Sequence, residues 1–331
     1  MKLFSILSLF LFSTVVVNAD LSKRKHGKHS SAKDLPNYDT ALAKIVHPFD
    51  GIIFGSFVAE PDTQRFNGSL AIQGNFTASN FIVNSRHKSS KCNKHGLVVG
   101  GISDATNTVV NGDYSIASGD TTGIISNCSN THINVNFKRL YKKALQISQS
   151  LAKMKPNMVI RHGGYLSDGE FLGKSKQNYY VFTFNKCKQK KHCVLPDYLY
   201  STSKQIFLGG NWTGPYNSPY STDKPIVFNI PIPSNTVFNM STPNPAAGLK
   251  HANVIYNVYP VTETGAYDPQ GRFVWLRNTT HRLNGYALAP SAYVVENNLG
   301  GFRDKLIASR YFSAQDLDAM FFIKNSTFTQ H

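Results

Sequence analysis

Glutamate is scarce in this chain: four in 331 residues, Glu60, Glu170, Glu263 and Glu296. Asp and Glu together number 19 against 35 Lys and Arg, a formal net charge of +16 at pH 7. The shortage bears first on catalysis, because glycoside hydrolysis usually takes two carboxylates straddling the scissile bond. The acidic grouping Asp113, Asp120, Asp168 and Glu170 reads as turn chemistry, since Asp and Gly beside strands commonly shape turns. Ser167 lies in Gly164-Tyr-Leu-Ser-Asp-Gly169, which is not the Gly-X-Ser-X-Gly elbow. There is no phosphate-cradling Gly-rich loop with its Lys and no His-Glu-X-X-His. His162, before Gly163-Gly164, stands alone beside a strand, where a histidine is usually structural. No catalytic residue, cofactor or metal is expected.

Long apolar runs are also missing, apart from Leu3 to Val17 behind Lys2. That run contains Ser5, Ser8, Ser13 and Thr14, whereas a spanning helix wants about 20 predominantly apolar residues. With Val17-Asn18-Ala19 supplying small residues, it reads as a signal peptide over residues 1–19 rather than an anchor. Residues 20–40 form a basic segment expected to be disordered, and Lys23-Arg24-Lys25 is a candidate dibasic processing site. Residues 41–325 lack any interior linker and are expected to form one domain, followed by a short tail at 326–331. That tail lacks the hydrophobic stretch of a GPI signal. The expected location is extracellular or cell-wall associated.

Cysteine is sparse but even in number: Cys92, Cys128, Cys187 and Cys193. On an oxidising route two disulfides are the default. Cys187 and Cys193 enclose the short loop Lys188 to His192, which suggests a local bridge and leaves Cys92 to Cys128. Zinc on Cys92-Asn-Lys-His95 and His192-Cys193 is the competing reading, but it would need reduced thiols. Seven Asn-X-Ser/Thr sequons, at Asn67, Asn75, Asn127, Asn211, Asn239, Asn278 and Asn325, predict surface glycans behind a signal peptide.

What is present is a recurring phrase. Gly68-Ser-Leu-Ala-Ile-Gln-Gly-Asn75, Gly96-Leu-Val-Val-Gly-Gly101 and Ile206-Phe-Leu-Gly-Gly-Asn211 are short apolar runs stopped by Gly-Gly or Gly-Asn. The runs are too short for helices, and the glycines are expected to supply positive φ at strand-ending corners. Many brief strands suggest an all-β coil or sandwich, and the uneven spacing makes any solenoid irregular. Further strands are predicted at Gly51–Gly55, Phe81–Val83, Thr108–Val110, Tyr114–Ile116, Met158–Ile160, Tyr179–Phe184, Pro225–Ile230, Val254–Val258 and Phe273–Trp275. One segment differs: Phe137, Leu140, Tyr141, Ala144, Leu145, Ser148, Leu151 and Ala152 keep helical spacing. Asn134 or Asn136 is the candidate cap and Pro156 the stop, with Lys138, Arg139, Lys142 and Lys143 on the other face. Such a helix packs along the side of a β structure with its charges in water.

The order of these pieces resembles the choice-of-anchor A domain family of extracellular proteins. The matching stretches are Phe49–Phe57, Phe66–Asn75, Leu97–Gly101, Leu145–Ala152, Val227–Ile230, Gly285–Pro290 and Lys305–Ser309, spread over residues 49–312. The resemblance implies a mainly β fold, an irregular right-handed parallel β-solenoid (β-helix) with one flanking α-helix, similar to ice-binding-type solenoids. It also implies an adhesive or matrix-associated role and brings no catalytic motif. No sortase motif or anchor helix follows the domain, which departs from the usual bacterial attachment routes. The expected function is a secreted adhesive or structural glycoprotein. The alternative is a secreted polysaccharide lyase or glycoside hydrolase on the same scaffold.

The charge points to the partner. Removing the signal takes away Lys2 and leaves +15; cutting after Arg24 also removes Lys23, Arg24 and Asp20 and leaves +14. Such a balance favours polyanionic partners, namely acidic polysaccharide, phosphorylated glycan, anionic membrane or nucleic acid. With the role the resemblance implies, the expected partner is a cell-wall or matrix polysaccharide. Nucleic acid is disfavoured, because no recognition-helix or RNP pattern is present. Basic runs at Arg86-His-Lys88 and Lys186 to His192, including Lys188, Lys190 and Lys191, lie in predicted loops. Trp212, Tyr216 and Tyr220 occupy a Pro- and Gly-rich loop, where ring faces can stack on sugars or on the protein's own flank. Ice binding would need a regular Thr ladder, which Thr106-Asn-Thr108 and Thr262-Glu-Thr264 do not make.

Overall fold

The computed structural model describes residues 47–61, 63–89, 91–92, 94–129, 131–160, 166–168, 179–184, 225–240, 254–279, 282–297 and 301–314. The protein is mainly β, with parallel strands gathered in one large sheet and a 16-residue helix. The chain first makes β1 (Gly51–Ile53), β2 (Phe57–Ala59), β3 (Arg65–Phe66), β4 (Leu70–Ile72), β5 (Phe76–Ser79) and β6 (Ile82–Val83). Then come β7 (His95–Thr106), β8 (Thr108–Val110), β9 (Asp113–Gly119), β10 (Ile124–Ile125) and the helix α1 (Phe137–Ala152). After α1 lie the antiparallel pair β11 (Met158–Ile160) and β12 (Leu166–Asp168), then β13 (Tyr180–Thr183), β14 (Ile226–Pro233) and β15 (Val237–Met240). The last strands are β16 (Val254–Val261), β17 (Phe273–Arg277), β18 (Tyr286–Glu296) and β19 (Lys305–Ser313).

The register shows that the chain enters in the middle of a stack. From β1 and β2 the layers run outward through β4 and β5, then β7, then β9. A second series starts at β13 and runs inward through β14, β16 and β18 to β19. β19 then pairs with both β1 and β2, so the last layer lies against the first. Short strands β3, β6, β8 and β10 form a separate four-stranded sheet on the first half.

Alternation along each strand decides what is inside. One inner row carries Phe182, Phe228, Tyr256, Ala287, Leu306, Gly51, Leu70 and Leu97 on successive strands. The adjoining outward row reads Thr183, Asn229, Asn257, Leu288, Ile307, Ile52, Ala71, Val98 and Ser115. α1 covers this row, burying Phe137, Ala144 and Leu151 against Ile52, Ala71, Leu288 and Ile307. A helix of 16 residues is about 24 Å long, enough to cross four strand spacings of about 4.8 Å.

Side-chain chemistry matches the row beneath. Where the row is polar, Ser148 Oγ donates to Asn257 Oδ1 at 2.7 Å and Asn229 Nδ2 donates to the Leu151 carbonyl at 2.7 Å. Asn257 Nδ2 closes the network on Asn229 Oδ1 at 2.8 Å. These buried amides are satisfied, so they fix the helix on the sheet without a desolvation penalty left over. Asn136 is the cap, its Oδ1 accepting the Arg139 amide at 3.0 Å. The helix stops at Ala152, earlier than Pro156 alone required.

The structure corrects two expectations. Gly74, Gly100 and Gly101 do not have positive φ. They are needed for close approach: a Cβ on Gly74 would lie 2.6 Å from the Gly55 carbonyl carbon, and one on Gly101 2.7 Å from Gly74. Positive φ falls instead on other positions, Gly112, Gly119, Gly265, Gly285 and Gly301 together with Asn80, Asn84, Asn107 and Asn235, and Asn107 Nδ2 donates to Asn80 Oδ1 at 2.6 Å across adjacent layers. The second correction concerns β18 and β19, which join the two series and are not among the strands expected from the sequence. β18 holds Ala287, Ala289, Pro290, Ser291 and Ala292, a weak strand composition, and its register shifts between Ala289 and Tyr293. Proline in a sheet is tolerated at such an irregularity. The predicted strand at Ile206–Leu208 lies outside the described residues.

Candidate ligand-binding surface

Five neighbouring layers bring their turns to one corner. At the junction of last and first layers, Lys305 Nζ bonds the Asp50 carboxylate and donates to the Phe49 carbonyl at 2.9 Å. Asp50 Oδ2 also accepts the Ser69 amide at 3.2 Å, while the Asp50 amide donates to the Ser69 carbonyl at 2.9 Å. On one side, Asp304 Oδ2 accepts the Gly285 amide at 2.7 Å, and the Arg303 amide donates to the Leu283 carbonyl at 2.9 Å. On the other, the Ser85 and Arg86 amides donate to the Phe66 and Asn67 carbonyls, both at 3.2 Å.

The loop after β6 is held to this corner. Ser85 Oγ donates to Asn67 Oδ1 at 3.2 Å, and the His87 amide donates to the Asn84 carbonyl at 2.9 Å. Cys92 and Cys128 stand at disulfide distance, 2.08 Å between sulfurs, and tie the loop to the segment after β10. The Asp113 carboxylate lies within 4.8 Å of both sulfurs. With those sulfurs bonded to each other they offer no thiolate, so this trio is a poor zinc site. His95 stacks on Phe49 at 5.9 Å rather than joining the cysteines.

The remaining sequence candidates scatter. Asn67 is half-buried at the corner, and Asn75 and Asn127 are exposed. Asn75 Oδ1 accepts the Ile102 amide at 3.0 Å. Asn239 is half-buried within β15, whereas Asn278 is exposed with its Oδ1 accepting from Asn297 Nδ2 at 2.6 Å. Cys187, Cys193, Asn211, Asn325, Trp212, Tyr216, Tyr220, Lys188, Lys190 and Lys191 lie outside the described residues.

Among the described residues the carboxylates are dispersed too, while Glu170 and His162 lie outside them. Asp120 accepts the Thr122 amide at 2.7 Å and its hydroxyl at 2.6 Å, and these bonds hold its carboxyl below the usual aspartate range. Glu60 and Glu263 are exposed. Glu296 differs from these: it ends β18 and is 2% exposed. Its Oε1 accepts from Arg277 at 3.0 Å and its Oε2 from the Tyr311 hydroxyl at 2.6 Å. The Arg277 guanidinium also lies 4.6 Å over the Phe302 ring, and burial lowers its pKa against the opposing pull of Glu296. Sequence reasoning missed this group, because nothing local pairs residues on different layers.

A second outward row crosses the other part of the large sheet: Asp104, Thr77, Val58, Phe312, Val295, Leu276 and Asn239. It holds one threonine, and Thr108 is fully buried, so no Thr ladder forms here. Among the described residues no helix is long and apolar enough to cross a membrane.

No curated protein and no solved structure gives a significant match to the chain. A family signature does: that of the "Putative Ice-binding-like adhesive domain" matches residues 42–315, which take in every described strand and α1. The chain belongs to this ice-binding-like adhesive domain family.

Proposed function

We propose that the protein is a secreted, non-catalytic adhesive or structural glycoprotein that attaches to a cell wall or extracellular matrix through polyanionic or carbohydrate surfaces. The observation that carries this reading is the adhesive-domain match over residues 42–315. The net charge of +16 supports an anionic partner. In the same reading the layers wind as a right-handed parallel β-solenoid of the choice-of-anchor A kind. Residues 1–19 are removed on export, a second disulfide joins Cys187 to Cys193, and the seven sequons carry glycans. Trp212, Tyr216 and Tyr220 add sugar stacking.

The test is retention of the purified secreted protein on isolated wall material and on acidic and neutral polysaccharides across a salt series. Exposed charge attractions are screened over about 8 Å at physiological salt, so retention should fall as salt rises. Retention indifferent to salt and equal on neutral polymer would refute the polyanion reading. Release of cleaved sugar products from the same polymers would instead establish the enzyme alternative.

A further inference from the structure

Three arginines at the corner have no hydrogen-bonded partner for their side chains among the described residues. Arg86, Arg282 and Arg303 are exposed, and none makes a side-chain hydrogen bond or ion pair among the described residues. They come from three places far apart in sequence: the loop after β6, the turn before β18 and the turn before β19. Yet Arg86 feels the charges of both Arg282 and Arg303, together with Asp304 and Asp50. Partial burial is the main cause that lowers the Arg86 pKa, the two acids oppose it, and the other arginines add to it.

The two acids neutralise the group only in part. Asp50 is occupied by Lys305 and Ser69, and Asp304 holds the Gly285 amide. Counting Lys305, four cations face two carboxylates. Like charges held together repel, and an incoming anion relieves that repulsion. A guanidinium presents a planar fork that matches sulfate, phosphate and carboxylate oxygens.

We propose that this corner is a binding site for the oxyanion groups of an acidic polysaccharide, with Arg86, Arg282 and Arg303 as the contacting residues. The proposal rests on the adhesive reading above and gives it a location. A polymer fits better than a single ion because the arginines rise from turns of neighbouring layers, which repeat every about 4.8 Å. The Cys92–Cys128 link and the Ser85–Asn67 bond hold the Arg86 loop before binding, which reduces the ordering cost.

The experiment compares the full secreted protein with two variants of equal charge change, Arg86→Gln/Arg282→Gln/Arg303→Gln and Lys138→Gln/Lys142→Gln/Lys153→Gln, the latter exposed on and just after α1. The probes are dextran sulfate, polygalacturonate and neutral dextran, with a thermal melt on every variant. The arginine variant should lose at least about tenfold in affinity for an acidic polymer, since each charge-assisted contact is a strong one. The lysine variant should lose less than about threefold, and neither melt should move. Arg→Lys at the same three positions should restore only part of the affinity, because the fork is gone. Equal losses in both Gln variants, or loss confined to the lysine variant, would overturn the site and leave the adhesive reading standing. Should the triple arginine variant melt early, Arg86→Gln alone serves, with the same loss expected in smaller degree and no loss overturning the proposal. Wild-type protein that binds neither acidic polymer would overturn the polyanion reading and the site with it.

Discussion

The two series of layers solve the same packing problem with different chemistry. In the first, from β1 to β10, the interior is filled by Phe57, Phe66, Leu70, Ile72, Phe76 and Leu97, and polar groups are kept at the bends. There Asn84 and Asn111 exchange amide-to-carbonyl bonds at 2.7 and 3.2 Å. In the second, from β13 to β19, polar groups lie inside. Arg277 and Glu296 are the only fully buried charged side chains among the described residues, and they face each other in register on β17 and β18. The second series also stacks Phe228 on Tyr256 at 5.4 Å and meets the first where Tyr311 stacks on Phe57 at 4.6 Å. The first series spends its polar chemistry on turning the chain, and the second on fixing which strand lies beside which. A buried ion pair is weak support for stability but discriminates strongly against wrong pairing when one partner is misplaced.

Removing one partner of that pair should give the largest effect. Glu296→Ala leaves Arg277 buried without its carboxylate and takes an acceptor from Tyr311 and from the Gly301 amide. The expected loss is about 3–5 kcal/mol, read from the urea midpoint. The double change Arg277→Met with Glu296→Leu should cost much less, because no charge is then left unpaired. A single variant that loses under about 1 kcal/mol would mean that water reaches the pair, and the contrast between the series would dissolve.

In the first series the most sensitive points are backbone contacts. Gly74→Ala puts a methyl 2.6 Å from the Gly55 carbonyl carbon and 2.7 Å from its oxygen, where only backbone movement can make room. Overpacking of this kind costs about 1–3 kcal/mol. Gly265→Ala is the control: its Cβ would meet nothing within 4 Å, although its φ of +80° adds local strain. If the two melt alike, close approach is not what fixes Gly74.

These differences mark what the sequence could reveal. Helical spacing, an N-cap and a stop are local signals, and α1 is readable almost to the residue, as are β4, β6 and β8. By contrast, β7 and β9 run well beyond Leu97–Val99 and Tyr114–Ile116, and β2 and β5 are not expected. β18 is hard to read because Ala287, Ala289, Pro290 and Ala292 carry little strand signal, whereas β19, with Leu306, Ile307, Tyr311 and Phe312, holds a strand composition that the reading does not use. The glycine phrases were visible, but their cause was not, since a lone sequence does not show that Gly55, Gly74 and Gly101 approach one another. The corner was legible only in part. Arg86 stood out as a basic loop residue, whereas Arg282 and Arg303 join it only because the last layer docks beside the first. The Arg277–Glu296 pair is likewise a product of register.

The smallest effect at neutral pH, and the sharpest separation of the two series, should come from tyrosine ionisation. Tyr256, Tyr259, Tyr267, Tyr293 and Tyr311 all belong to the second series, and burial raises the pKa of each. For Tyr311 the neighbouring Glu296 charge pushes further in the same direction. An unfolded tyrosine titrates near 10. Below that value both states hold the phenolic proton, so these groups leave stability independent of pH. Above it the unfolded chain loses protons that the folded chain keeps, and stability falls as pH rises. For fully buried Tyr256 and Tyr311 the slope approaches about 1.4 kcal/mol per group and pH unit until the folded form itself ionises. Urea midpoints should therefore stay level from about pH 8 to about pH 10 as far as tyrosine is concerned, then drop. Backbone hydrogen exchange taken above that point should show β14, β16 and β18 losing protection before β1, β4 and β7. Loss of protection in the first series ahead of the second would mean that alkaline unfolding starts at the glycine bends, and the tyrosines would have no part in it.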